Sequence, residues 1–194
     1  MIITNHLRAL TLDSRRRLIR WVLGHRIRAR HPTLTCDPTA IWDYGYHDID
    51  AIEIGERVAV AAFTEIIVYE RSPYSAVPGR LILANRSVLA TGVNVRAAGG
   101  TIQIGEGSVL SQHTIAVAAN HQITGQAAYL HSKWDENRTG VTVGKNVWVG
   151  ANCVLLPGTT IGDDAVIAAG SVVRGAIPAR ELWGGVPARK IRAL

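Results

Sequence analysis

The chain of 194 residues is poor in large rings: aromatic residues make up 6%, and there is one Phe and one Met. A core built on packed aromatics is thereby excluded, and the recurrence of Val, Ile and Ala beside 19 Gly points to regular stacked β structure. The two cysteines, Cys36 and Cys153, are too few for a disulfide framework and too unlike in setting for a zinc site, so both read as structural thiols. No run of 18 apolar residues occurs, which excludes an ordinary membrane-spanning helix. The opening MIITNHLRAL lacks the apolar stretch and cleavage site of a secretory leader, so the expected compartment is the cytoplasm. With 47% hydrophobic residues at this length, one well-buried domain is expected.

Excess charge is absent from most of the chain as well. The net charge is +6, yet residues 1–31 hold eight arginines (Arg8, Arg15, Arg16, Arg17, Arg20, Arg26, Arg28 and Arg30) against Asp13, leaving 13 basic and 14 acidic groups elsewhere. Within this segment TLDSRRRLIRWVLG reads as a short basic amphipathic helix, with Ser14 as N-cap, Leu18, Trp21 and Val22 on one stripe, and Gly24 as the stop. The helix is expected to close one end of the domain with a solvated arginine face. Its charge also suits peripheral contact with an anionic membrane surface or an acidic carbohydrate. No nucleic-acid motif accompanies it and the body of the chain is near neutral, so no nucleic-acid partner is expected.

What the sequence does contain is a repeat. From Val143 it divides into sixes, with aliphatic residues at Val143, Val149, Leu155, Ile161, Ile167 and Val173, and small or modest ones at the fifth position: Val147, Cys153, Thr159, Ala165 and Ser171. A period of six matches neither a helix nor a hairpin. It fits short strands joined by tight bends, in which Gly, Asn or Asp supplies left-handed backbone. One such coil has no interior, but stacked coils share a continuous apolar column. The same spacing recurs upstream at Ile54, Val60 and Ile66, at Leu83, Leu89 and Val95, and at Ile104, Leu110 and Ala116. Fifteen positions at three per turn make five coils, about 24 Å tall at ~4.8 Å per stacked strand.

The breaks fall in one place. The steps 66 to 83, 95 to 104 and 116 to 143 exceed six by 11, 3 and 21 residues, always after the third member of a triple. All three insertions are therefore expected to leave the column near one corner, where a rigid scaffold carries its site. His121 stands at the root of the longest. The expected organisation is a basic N-terminal segment (1–40), a β-helix (41–180) with a protruding loop (122–140), and a C-terminal tail (181–194) of the same domain.

The stretch IQIGEGSVLSQHTIAVAANH, the loop after it, GVTVGKNVWVGANCVLLPGTTIGDDAVIAAGSVV and the closing GGVPARKIR resemble the hexapeptide-repeat acyltransferases, which fold as a left-handed parallel β-helix. The likeness is to the branch of colanic acid, nodulation-factor and maltose or galactoside O-acetyltransferases. It covers residues 50–194, and the first 31 residues resemble the basic lead-in of the polysaccharide-acetylating members. The resemblance, not the spacing, supplies the left-handed sense, which runs against the general rule for parallel crossovers.

The resemblance implies acetyl transfer from acetyl-CoA to a carbohydrate acceptor at clefts between the subunits of a homotrimer, with no metal required. His121 matches the general base: imidazole, with a pKa near 6.5, takes the proton of an acceptor hydroxyl as it attacks the thioester. Asn120, Asn94, His131 and Trp134 are the implied acceptor contacts. Asn94 aligns with an acceptor-contacting asparagine across a one-residue gap, and Trp134 is an aromatic able to stack on a sugar ring. Trp148, Gly150 and Ala151, then Ala168 and Ala169, match the lining of the pantetheine arm. Arg189 and Lys190 match the basic residues near adenine and its 3′-phosphate, and Arg174 in SVVRGA stands where the family has SVVTKD. His113, three residues past Leu110, is read as an exposed corner residue.

Other acceptors use the same base, so an amino-sugar nucleotide acylated on nitrogen and an antibiotic hydroxyl remain alternatives. A metal-dependent hydration enzyme of the γ-carbonic-anhydrase kind needs two histidine ligands five residues apart, whereas His113 and His121 are eight apart with no third in register. A non-catalytic scaffold would keep the repeat without the base.

Overall fold

A computed structural model describes residues 12–45, 47–123, 125 and 131–194. The opening residues 1–11, read above for the lack of a leader and including Arg8, and loop positions 124 and 126–130 lie outside the described residues. The chain forms a left-handed parallel β-helix of three flat sheets. The first sheet stacks Thr35–Cys36 (β1), Ala59–Val60 (β4), Val88–Leu89 (β7), Val109–Leu110 (β10), Trp148–Val149 (β13), Val166–Ile167 (β16) and Glu181–Gly185 (β19), and adds the antiparallel Ala188–Ala193 (β20). The second stacks Ile41–Tyr44 (β2), Glu65–Tyr69 (β5), Asn94–Ala98 (β8), Ile115–Val117 (β11), Val154–Leu155 (β14) and Val172–Val173 (β17). The third stacks Ile52–Ile54 (β3), Arg80–Leu83 (β6), Thr101–Ile104 (β9), Val141–Val143 (β12), Thr159–Ile161 (β15) and Ala176–Ile177 (β18). Six full coils and a seventh layer of the first sheet thus make a prism about 29 Å tall at ~4.8 Å per layer.

Register follows the period. Leu89 pairs with Val60 and Leu110, Leu110 with Val149, and Val149 with Ile167, so aliphatic residues pile directly on one another. Fourteen of the fifteen inward positions are buried, and Ile54 packs against them partly covered. The small fifth positions are buried as well, and three of their hydroxyls reach backbone carbonyls: Thr159 Oγ1 to Val173 (3.0 Å), Ser108 Oγ to Gly144 (2.7 Å) and Thr114 Oγ1 to Gly150 (3.1 Å), whereas the buried Ser87 Oγ has no hydrogen-bond partner. Burial raises the pKa of the Cys153 thiol, and its Sγ faces the Ala168 carbonyl at 3.2 Å. That is the setting of an inert packing residue.

The corners demand left-handed backbone. Asn146, Asn152 and Asp164 supply it as expected, but so do Arg57, Phe63, Arg86, His113 and Arg180, all with φ between 55° and 58°. His113 is such an exposed corner residue; it lies over Gly92 (φ 69°), where a Cβ would stand 2.5 Å from its Nδ1.

The N-terminal helix, Leu12–Arg30 (α1), is longer than expected. Ser14 lies inside it rather than at its cap, and Gly24 does not stop it. The reason is packing. Leu23 and Ile27 are buried, Tyr44 Oη donates to the Leu23 carbonyl (3.1 Å), and a Cβ on Gly24 would already touch Trp42. The residues that seat the helix are therefore Leu23, Gly24 and Ile27, over the fully buried Trp42 of the first coil, whereas Leu18 and Trp21 face outward.

Candidate active site

All the insertions leave the prism at the corner between the second and third sheets: residues 70–79 after β5, Gly99–Gly100 after β8, and residues 118–140 after β11. The first and the last clamp each other. Trp134 N donates to the Tyr74 carbonyl (2.9 Å), Lys133 Nζ to the Pro73 carbonyl (2.7 Å), and Glu136 Oε1 accepts from Ser75 Oγ (2.8 Å) and Ala76 N (2.7 Å). The Ser75 hydroxyl and the Ala76 amide hold the Glu136 carboxyl below its ordinary pKa.

The returning loop bonds to the strand it left. Gln122 N donates to Lys133 O and Asp135 N to Asn120 O (both 2.8 Å), forming an antiparallel bridge that places His121 opposite Trp134. The two rings meet edge to face with centroids 6.2 Å apart, and His121 Nδ1 lies 3.2 Å from Ser132 Oγ. His121 and Trp134 form one end of a groove of about 300 Å³ that runs over the second sheet, with Ala98, Val117, Ala119 and Ile67 as its floor and Tyr69 and Arg96 beside them. The floor is aliphatic throughout, and two of its four side chains, Ala98 and Ala119, are methyl groups. Arg96 pairs with Glu65 (3.1 Å), and Tyr69 Oη donates to Asp43 (2.8 Å). Burial first, then that bond, pushes the Tyr69 pKa up to about 12, so it stays a neutral phenol at physiological pH.

Of the expected acceptor contacts, the structure brings Trp134 to His121 and sets Asn120 at the root of the loop, where its carbonyl is engaged. His131 is exposed and lines no wall of this groove. Asn94 stands at the opposite end of β8, donating from Nδ2 to Glu65 (2.6 Å), with its Oδ1 buried and without a hydrogen-bond partner.

The expected CoA contacts divide into two groups. Trp148 is exposed on the first sheet, its indole N–H donating to Ser111 Oγ (3.0 Å). Gly150–Ala151 turns the corner after it, and Ala168–Ala169 stacks on that turn so closely that a Cβ on Gly150 would stand 2.6 Å from Ala169 N. Arg189 and Lys190 lie on β20 at the end of the same sheet. Lys190 ion-pairs with Glu181, and this bond, followed by one from Trp183 Nε1, lowers the Glu181 pKa. Arg174 is elsewhere, at the second-to-third-sheet corner, in a groove of about 490 Å³ with Arg138 and Asn137.

Sequence reasoning missed Ser132, Tyr69, Arg96 and Glu136. Arg96 was recoverable, since it follows inward Val95 by one and must face out beneath Val117. The others sit on or against insertions without a period. Among the described residues no three His, Cys, Asp or Glu side chains are grouped to hold a metal ion, and His113 and His121 stand at different corners.

A family model described as bacterial transferase hexapeptide (six repeats) matches residues 140–175. The chain is 34% identical over 94 residues to the galactoside O-acetyltransferase of Escherichia coli K12, covering 48% of this chain and 45% of that protein. It is 30% identical over 136 residues to the putative colanic acid biosynthesis acetyltransferase WcaF of the same organism, covering 70% and 71%. The match thus spans less than half of the first relative and most of the second. AntD, an N-acyltransferase of Bacillus cereus solved with dTDP and 3-hydroxybutyryl-CoA, shares the fold with a TM-score of 0.70 over 88% of this chain and 87% of that one, at 21% identity.

Proposed function

The chain belongs to the hexapeptide-repeat acetyltransferases, and on that premise we propose that it moves an acetyl group from acetyl-CoA to a sugar hydroxyl, with His121 as general base. The observation that carries this reading is the exposed imidazole held at the end of a shallow groove by Ser132 and Trp134. For Nε2 to accept a proton, the neutral ring carries its hydrogen on Nδ1, which then donates to Ser132 Oγ. The acceptor O–H gives its proton to Nε2 as its oxygen bonds to the thioester carbonyl carbon; the C–S bond breaks, and the imidazolium returns the proton to the departing thiolate. No acyl-enzyme is needed.

An aliphatic floor edged by Trp134 and Tyr69 suits a pyranose ring, whose C–H face stacks on aromatics while its hydroxyls meet polar groups at the rim. We assign the acceptor to a sugar of a surface polysaccharide, oligosaccharide or glycolipid precursor, handled in the cytoplasm where acetyl-CoA is available. On this reading Trp148, Gly150, Ala151, Ala168 and Ala169 line the pantetheine arm, and Arg174, Arg189 and Lys190 meet the phosphates.

His121 and Trp148 lie on different faces of one prism. A second copy packed alongside would bring these halves together, which supports a homotrimer with sites between subunits. An amino sugar would use the same base. Incubation with labelled acetyl-CoA and a panel of sugars, amino sugars and nucleotide sugars tests the proposal: alkali-labile ester product is expected, stable amide would move the acceptor to nitrogen, and no transfer to any member would refute it.

A further inference from the structure

The recess beside the outward face of α1 shares no residue with the His121 groove. Trp21 and Val22 lie three and four residues after Leu18, and His25 lies four and three after them, so the four share one face. It is turned away from the buried Leu23 and Ile27. Trp21 is 62% exposed and Leu18 38%. The Trp21 and His25 rings stack at 5.6 Å, which fixes the indole on that face.

Arginines edge the stripe on both sides. Arg15 and Arg26 are eleven residues, about three turns, apart along one border, and Arg17 and Arg28 along the other. A recess of about 230 Å³ beside Trp21 is walled by Arg17, Arg20 and Arg28 together with Pro38 to Ile41, and none of the described residues lining it is acidic. A second copy presenting the same face would set guanidinium against guanidinium. Nucleic acid or a soluble polyanion would meet the arginines but leave a tryptophan and a leucine in water. An apolar stripe between two cationic rows matches a surface that is anionic outside and apolar a few ångströms deeper.

We infer that α1 is a peripheral docking helix for an anionic lipid bilayer. Trp21 and Leu18 enter the acyl boundary, and Arg17, Arg20 and Arg28 hold headgroup phosphates. The helix seats on Trp42 of β2, the edge strand of the second sheet, and Asp43 of that strand holds Tyr69 of the His121 groove. Docking would therefore hold that groove a few strand spacings from the lipid surface. The inference does not rest on acyl transfer.

Co-sedimentation of the full chain with vesicles tests it. Binding is expected to mixed phosphatidylcholine–phosphatidylglycerol vesicles, weakened by salt, and not to phosphatidylcholine alone. Leu18→Ser with Trp21→Ser should lower vesicle affinity at least about tenfold, the effect of one large apolar side chain left in water, while Trp21→Phe retains binding. Arg17→Gln, Arg20→Gln and Arg28→Gln together should abolish the preference for anionic lipid. No preference for anionic vesicles would overturn the inference. So would full binding by the double serine variant, or a change in its oligomer size by sedimentation velocity, which would make the face a contact between copies.

Discussion

The hydroxyl of Ser132 stands 3.2 Å from Nδ1 of His121 across eleven residues of chain. The group that orients the imidazole is thus neutral, and among the described residues no carboxylate bonds to the ring. A hydroxyl holds the ring in place, accepting from Nδ1–H when Nε2 is the free base, and adds no ion pair to the imidazolium. Ser132→Ala is expected to lower kcat by about tenfold or less, as befits one hydrogen bond, with KM for either substrate little changed. Steady-state kinetics on the purified variant check this.

Trp134 depends on Gly99. A Cβ there would stand 2.4 Å from Trp134 Cε3, at a φ of 69° that only glycine adopts without strain. Gly99→Ala should push the indole off the second-to-third-sheet corner and raise KM for the acceptor about tenfold or more, while the melting temperature falls only slightly. A crystal structure with Trp134 in place would contradict it.

The latch between the two insertions should fail in acid. The Glu136 pKa is depressed by its bonds to Ser75 and Ala76, so its contribution is present above the unfolded carboxyl pKa of about 4.5 and is lost as pH falls through the lower folded value. The hydrogen-exchange protection factors of residues 131–139 should be high near neutrality and fall below pH ~4.5. Glu136→Gln should show low protection at both.

The column was legible because its inward positions are filled by volume: at every six-spaced position an aliphatic residue faces the core, and all but Ile54 are buried. The first coil escaped it. Cys36 and Trp42 are six apart, but the third residue, Ile54, follows after twelve, with a one-turn 3₁₀ helix at Asp48–Ala51 filling the gap. The sixth coil closes on Ile177, four past Val173, because its corner is the two residues Arg174–Gly175. Gly24 read as a stop because local propensity says nothing of the Trp42 ring that the helix must approach. Ser132 and Trp134 reach His121 only because the loop returns antiparallel, and no spacing announces that.

Trp148 is exposed, so its loss should spare the fold. Trp148→Ala is expected to raise KM for acetyl-CoA about three- to tenfold, in the range of one aromatic contact, with kcat and thermal stability unchanged.

Trp42 joins helix to column and is fully buried. Trp42→Ala should cost about 3–5 kcal/mol in a denaturant titration and expose the region around Leu23 to proteolysis.

The central claim is that the imidazole of His121 takes the acceptor's proton. The measurement that reaches it most directly is the acetyl-transfer rate of His121→Ala against the parent at saturating acetyl-CoA, with CoA affinity measured separately by calorimetry. A fall of at least about a hundredfold with unchanged CoA affinity is predicted, whereas a variant that acetylates at the parental rate contradicts the account.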